Sequence, residues 1–253
     1  MIIQRITAAI RSQNWINVIA EFLVVVLGIF VALQADNWNE ARLDRKHEHE
    51  SLERLLREAE NAVALIDRQI GVFKSVIDSQ RVLLEIVTSD EQVPENTEVA
   101  EQGFRSLTYY PALAPARTAY DELIATGGIQ LIRSRAVRDA IALYHAELDF
   151  FQTQLDYFRA SSLGDGGDPY IPARDYVRAI YDPAAESSRR YEIDWPGLRS
   201  APYVETLFVD KLRNQIVMNG NRQIVLDRAK IMCDTLADAV KRQCQPALSN
   251  DSI

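Results

Sequence analysis

The chain has 253 residues, 47% hydrophobic and 25% charged, with ten Gly, nine Pro and a formal net charge of −8. That composition belongs to a folded globular protein and excludes collagen-like or disordered chains, and the few Gly and Pro argue against a β-rich fold. Arg5 and Arg11 balance Glu21 and Asp36 in the N-terminal 38 residues. The net charge of −8 therefore lies in residues 39–253, which repels phosphate backbones and argues against a nucleic-acid partner.

Residues 1–17 place Ile2, Ile3, Ile6 and Ile10 on one side with Arg5 and Arg11 elsewhere. They read either as an amphipathic segment lying in a membrane interface or as a flexible tail. Residues 18–35, VIAEFLVVVLGIFVALQA, are strongly polar only at Glu21 and Gln34. As a helix they cover about 27 Å, close to the hydrocarbon thickness of a bilayer. Trp15 and Trp38 flank them, where indole rings occupy the interfacial belts. Leu33-Gln34-Ala35 would pass as a signal-peptidase site, but the apolar stretch is longer than the usual run of about 7–15 residues and contains Glu21. Residues 1–38 are therefore expected to be a permanent signal anchor.

No Gly or Pro interrupts residues 39–51, so the helix is expected to continue. Leu52, Leu56, Ala59, Val63, Ile66, Ile70, Phe73, Ile77, Gln80, Leu84 and Val87 then recur at alternating steps of four and three. This is a heptad seam. Leu55, Ala62, Leu65, Val72, Val76, Leu83 and Ile86 broaden it beyond a coiled-coil stripe, which predicts a bundle of three or more helices. Gly71 is its one weak point, at about 1 kcal/mol against Ala.

Residues 88–98 read as a loop, and short helices are expected at about 98–108 and 115–126, the latter stopped by Gly127-Gly128. Ser134 is placed to cap a second long helix, with Val137, Ile141, Tyr144, Leu148, Phe151, Leu155 and Phe158 as its seam. Residues 161–172 read as loop, 172–181 as a short helix and the stretch to about 200 as irregular. A last helix is expected over 202–242, bent near Asn219-Gly220. Val204, Phe208, Leu212 and Ile216 mark its first half; Val225, Ala229, Met232, Leu236 and Val240 mark its second. The predicted fold is all-α: a transmembrane helix continuing into an antiparallel bundle over 39–246, with a disordered tail at 247–253.

Glu21, Gly28, Ala32 and Ala35 fall on one face of the span, and Gly28-x-x-x-Ala32 is a small-residue pattern that lets two helices approach closely. The face reads as a transmembrane association surface; the competing reading has Glu21 snorkelling to the headgroups. Cys233 and Cys244 are the only cysteines. On a straight helix they are about 16 Å apart, too far to bridge. A helix ending near Lys241 with a reversal would permit a disulfide and place the domain in the periplasm; two unrelated thiols are the alternative. Lys and Arg on the two sides of the span are nearly balanced and leave orientation to the other cues.

His47 and His49 lie about 200° apart on a helix and cannot share a metal ion, so the HEHE run reads as a solvated collar. Asp165 and Asp168 in a Gly-rich loop lack the ligand count of a Ca²⁺ site. His145 has no nucleophile motif around it, and the chain carries no phosphate-binding loop, dinucleotide fingerprint or zinc motif. Tyr109, Tyr110, Tyr120, Tyr144 and Tyr157 are candidates for a ligand pocket or for plain core packing. No catalytic residue, metal or cofactor is expected.

The run Val26-Leu27-Gly28-Ile29, then Ala32-Leu33-Gln34, then Asp36-Asn37-Trp38-Asn39-Glu40 resembles the post-span signature of an uncharacterised bacterial family of single-pass, membrane-anchored helical proteins. Ala119-Tyr120-Asp121-Glu122-Leu123 with Gly127-Gly128-Ile129-Gln130-Leu131-Ile132 resembles that family's second block. The resemblance implies the anchored helical architecture and no catalytic residues. The expected function is a non-enzymatic envelope protein of the inner membrane that self-associates or scaffolds a membrane partner. The alternative is a periplasmic bundle that senses a small molecule and acts through a separate membrane partner.

Overall fold

The computed structural model describes residues 15–163, 173, 176–181 and 189–246. The expectations for residues 1–14, for the Asp165–Asp168 loop and for the tail at 247–253 lie outside the described residues. The chain divides into two compact units, Met1–Glu50 and Ser51–Ile253. The first described buried residue is Leu52, so the polar stretch 39–50, which has no apolar seam, belongs with the span rather than with the bundle.

Helix α1 runs from Trp15 to Thr88. Its Ile19–Thr88 part contains a window of mean hydropathy 2.1, none of it buried within the protein, so one helix is long and apolar enough to cross a membrane. From Leu52 onward the heptad seam turns inward, and every seam residue except the half-buried Leu84 is buried. Of the broadening residues, Leu55, Ala62, Val76, Leu83 and Ile86 are buried, whereas Val72 is exposed.

Helices α2 (Glu98–Arg105) and α3 (Thr118–Ala125) bracket a return path along α1. Gln80 Nε2 donates to the Ser106 carbonyl at 3.1 Å, Gln69 Nε2 to that of Ala112 at 3.1 Å, and the Glu58 carboxylate accepts from the Ala119 N–H at 2.6 Å. Those partners descend α1 as the chain advances. Helix α4 (Arg135–Leu163) therefore starts beside the early part of the bundle seam and runs in the same direction as α1. Ser134 Oγ accepts from the Val137 N–H at 3.4 Å and caps it. Helix α6 (Val204–Ala239) runs against both: Arg199, just before it, donates to the Ile86 carbonyl, while Gln245, just after it, donates to Glu60. The alternation of an up-down bundle thus holds between α6 and its two neighbours. The helix is continuous through Asn219-Gly220.

Three sequence expectations are corrected. Where a short helix was expected near 172–181, strand β1 (Val177–Tyr181) pairs antiparallel with β2 (Arg189–Ile193), Val177 opposite Ile193. Val177, Tyr191 and Ile193 are half-buried while Arg178 and Glu192 face solvent, a period of two that helical reasoning overlooked. Within the stretch expected to be irregular, Trp195-Pro196-Gly197 forms the first turn of helix α5 (Trp195–Ser200), capped by Asp194, which accepts from the Gly197 N–H at 3.1 Å.

Leu212 and Ile216 are likewise not the seam of α6; Ile216 is exposed. Stepping back from Val225 by three and four gives Arg222, Met218, Gln215, Lys211, Phe208 and Val204, and these are the buried residues. Half of that inward face is polar, so hydrophobicity pointed to the wrong stripe.

Two apolar cores result. One joins Leu52–Ile70 of α1 to the seams of α4 and later α6; the other gathers Leu83, Phe104, Leu107, Trp195, Leu198 and Phe208. Gln80, Lys211 and Gln215 fall between them, with Arg222 at the margin.

Candidate functional site

The buried Arg222 lies at that margin with no exposed surface. Its guanidinium carbon sits 3.5 Å from the ring centroid of Phe73 on α1 and 5.1 Å from that of Phe151 on α4, so the cation lies between two aromatic faces. Among the described residues its Nε, Nη1 and Nη2 have no hydrogen-bond partner. Burial lowers its pKa to about 10, the neighbouring Tyr109 opposes the fall and Arg159 adds to it. At neutral pH the group remains charged.

Around it, polar side chains hold the irregular stretch 109–113 in place. Gln215 Nε2 donates to the Tyr109 carbonyl at 3.0 Å and Arg159 Nε to that of Tyr110 at 2.9 Å, and the Tyr109 ring stacks on Phe73 with centroids 5.7 Å apart. Gln152 donates to the Leu113 carbonyl. The Oε1 atoms of Gln80 and Gln215 and the Oδ1 of Asn219 are buried without partners among the described residues. The sequence reading missed Arg222 and Gln215. The available signal was the uninterrupted register of α6, followed backward from Val225.

A second cluster surrounds His145. Its ring stacks on Tyr120 with centroids 3.4 Å apart and meets Tyr144 edge-on at 4.9 Å. Burial, with a smaller push from Arg117 and against the pull of Asp149, lowers its pKa to about 4. His145 is thus neutral, and its Nδ1 has no partner among the described residues. Burial also raises the Tyr144 phenol well above its ordinary value. Arg117 binds Asp149 at 2.6 Å and lies over Tyr120 at 5.4 Å, and Arg54 pairs with Glu122 through both of its terminal nitrogens. The imidazole is stacked and uncharged, and it packs the core between Tyr120 and Tyr144.

The tyrosines therefore separate. Tyr120 and Tyr144 belong to the His145 cluster, Tyr109 and Tyr110 to the Arg222 margin, and Tyr157 is exposed. His47 and His49 are both exposed, and His47 Nδ1 lies 3.9 Å from Glu50. Among the described residues no group of three or more His, Cys, Asp or Glu is placed to hold a metal ion.

In the first unit, Glu21, Gly28, Ala32 and Ala35 are exposed on the span, and a Cβ added at Gly28 would meet nothing within 4 Å. Trp15 is the first described residue of α1 and Trp38 is exposed.

At the far end of α6, Lys241 takes φ 58°. Arg242 N–H donates to the Ala237 carbonyl at 2.8 Å and Lys241 N–H to that of Asp238 at 3.1 Å, a Schellman closure that reverses the chain. The reversal brings Cys244 back to Cys233, Cα to Cα 5.6 Å, and the two form a disulfide.

On the outer surface of the second unit, Leu143, Phe150 and Tyr157 of α4 are exposed at seven-residue intervals, and so are Val217, Ile224 and Ile231 of α6. Asn221 donates to Gln154, and Val217 and Phe150 each stand one turn before these joined residues. The two apolar stripes therefore flank the same α4–α6 line.

Fold and site together define an all-α helical protein whose N-terminal helix is apolar and long enough to span a membrane. No protein-family profile, curated protein or solved structure matches the chain.

Proposed function

We propose that this is a non-enzymatic, single-pass inner-membrane protein of a bacterial envelope that self-associates through its helices and so scaffolds a membrane partner. The observation that carries the proposal is the pair of heptad-spaced apolar stripes on α4 and α6. A solvent-facing helix surface is ordinarily polar, whereas exposed apolar residues repeating every seven positions match a partner helix of the same period. The small-residue face at Gly28 and Ala32 offers a second surface inside the bilayer. The Cys233–Cys244 disulfide supports a periplasmic domain, since such bonds persist in oxidising compartments. The signature around Gly28 and Trp38 supports membership of the anchored helical family that it resembles.

The test is crosslinking of the full chain in native membranes. A dimeric or higher species weakened by Phe150→Glu or Ile224→Glu is the expected result. Only monomer, unchanged by those variants and by Gly28→Leu, refutes self-association.

The bare donors of Arg222 favour a second reading, a periplasmic bundle that binds a small molecule and signals through a separate membrane protein.

A further inference from the structure

The buried polar residues described in the second unit are Ser79, Gln80, Ser106, His145, Lys211, Gln215 and Arg222. Two are cations and none is a carboxylate, in a chain of net charge −8. Among the described residues no Asp or Glu is fully buried, and the buried charge is positive. Arg222 illustrates the imbalance most sharply, because no carboxylate among the described residues is hydrogen-bonded to its guanidinium.

Phe73 and Phe151 account for the faces of the guanidinium. They cannot account for its edge. Its N–H groups lie in the guanidinium plane and point away from rings stacked above or below it, and among the described residues all three nitrogens lack acceptors. A buried charge without a hydrogen-bonded counter-charge is among the most costly arrangements a core can hold. A planar, two-oxygen anion matches the fork of a guanidinium edge; a spherical ion does not. On the same helix, Asn219 lies three residues before Arg222 and Gln215 seven before, on one face, each with a buried carbonyl oxygen that has no donor. Those oxygens require donors, which a bare carboxylate lacks. The exposed Tyr109 ring, on the irregular stretch above Phe73, places this margin one side chain below the surface.

We propose that Arg222, held between Phe73 and Phe151, recognises a small carboxylate in the core of the second unit, with Gln215 and Asn219 accepting from a hydroxyl or ammonium on the same molecule. This rests on the ligand-binding reading and names its ligand class.

The experiment is thermal unfolding of the full chain in detergent micelles, titrated with sodium lactate, alanine or acetate at constant ionic strength, with sodium chloride as the blank. Saturable stabilisation by lactate or alanine, stronger than by acetate, is expected. Arg222→Met should abolish it, and Arg222→Lys, which keeps the charge and loses the fork, should weaken the apparent affinity about tenfold or more. No saturable shift with any of the three, or shifts of equal size in Arg222→Met, overturns the proposal. A set of neutral sugars and organic cations separates the two levels. A shift there that Arg222→Met leaves intact sinks the carboxylate site and keeps a ligand-binding bundle; no shift from any compound removes both.

Discussion

Arg222 stacks on Phe73 at 3.5 Å, tying α6 to α1 through a cation and a ring where an ordinary bundle would place two aliphatic side chains. The ring supplies a large buried surface and a partial counter-charge. The guanidinium supplies a charge that the surrounding core does not neutralise. In the absence of added carboxylates, Arg222→Met should therefore be neutral or stabilise the second unit by about 1–2 kcal/mol, because unpaired buried charge is exchanged for apolar packing. Phe73→Ala should cost about 3–5 kcal/mol. Thermal or denaturant unfolding of the two variants in micelles measures both; a loss of stability in Phe73→Ala and none in Arg222→Met is the expected outcome.

Gly103 on α2 lies against the backbone of α1, where an added Cβ would collide with the Ser79 carbonyl. A backbone atom cannot move aside as a flexible side chain can. Gly103→Ala should destabilise the second unit by about 2–3 kcal/mol and loosen α2 from α1. Faster hydrogen exchange over 98–108 than in the parent would register it; unchanged exchange would show that the two helices separate freely.

His145 is neutral in the fold, with its pKa lowered to about 4 against an ordinary 6.5. Between those values the unfolded chain binds a proton that the folded chain does not, so stability falls as the pH drops from 6.5 and levels off below about 4. The loss from this one group is about 3 kcal/mol. The difference in unfolding free energy between the parent and His145→Gln, followed from pH 7 to pH 4, isolates it from the titrating carboxylates. A difference that does not change with pH would refute the assignment.

The Cys233–Cys244 bond closes a short loop across the Schellman turn at Lys241. Reduction, or Cys244→Ser, should lower stability by about 3 kcal/mol and release the Gln245 N–H from Glu60. Calorimetry with and without reductant reads the first effect. Thiol alkylation on intact cells reads the compartment, because protection lost only after reduction is the mark of an oxidised, periplasmic pair.

Much of the fold was legible because long helices write their burial into the chain. The seam from Leu52 to Val87 and the one from Val137 to Phe158 could be read off directly, since both repeat at 3.5 residues and are nearly all apolar. The strands at Val177–Tyr181 and Arg189–Ile193 were not seen; five residues each are too few for alternation to stand out. The seam of α6 is right at Val204 and Phe208 and wrong at Leu212 and Ile216, because Lys211, Gln215 and Arg222 occupy inward positions that hydrophobicity assigns to the surface. The same cause hid the candidate site. A polar residue becomes a site only when other elements bury it.

By itself, the sequence determined the apolar span with its tryptophan flanks, the all-α class and the periods of the seams, because each depends on residues near one another along the chain. Only the tertiary structure decided what faces what. It returned residues 98–125 along α1, turned α6 back through Lys241 to join Cys244 to Cys233, and set Arg222 between Phe73 and Phe151 with no hydrogen-bonded carboxylate among the described residues. Those relations join residues as far apart as 73 and 222. Packing of whole helices settles such pairs, and local pattern does not encode them.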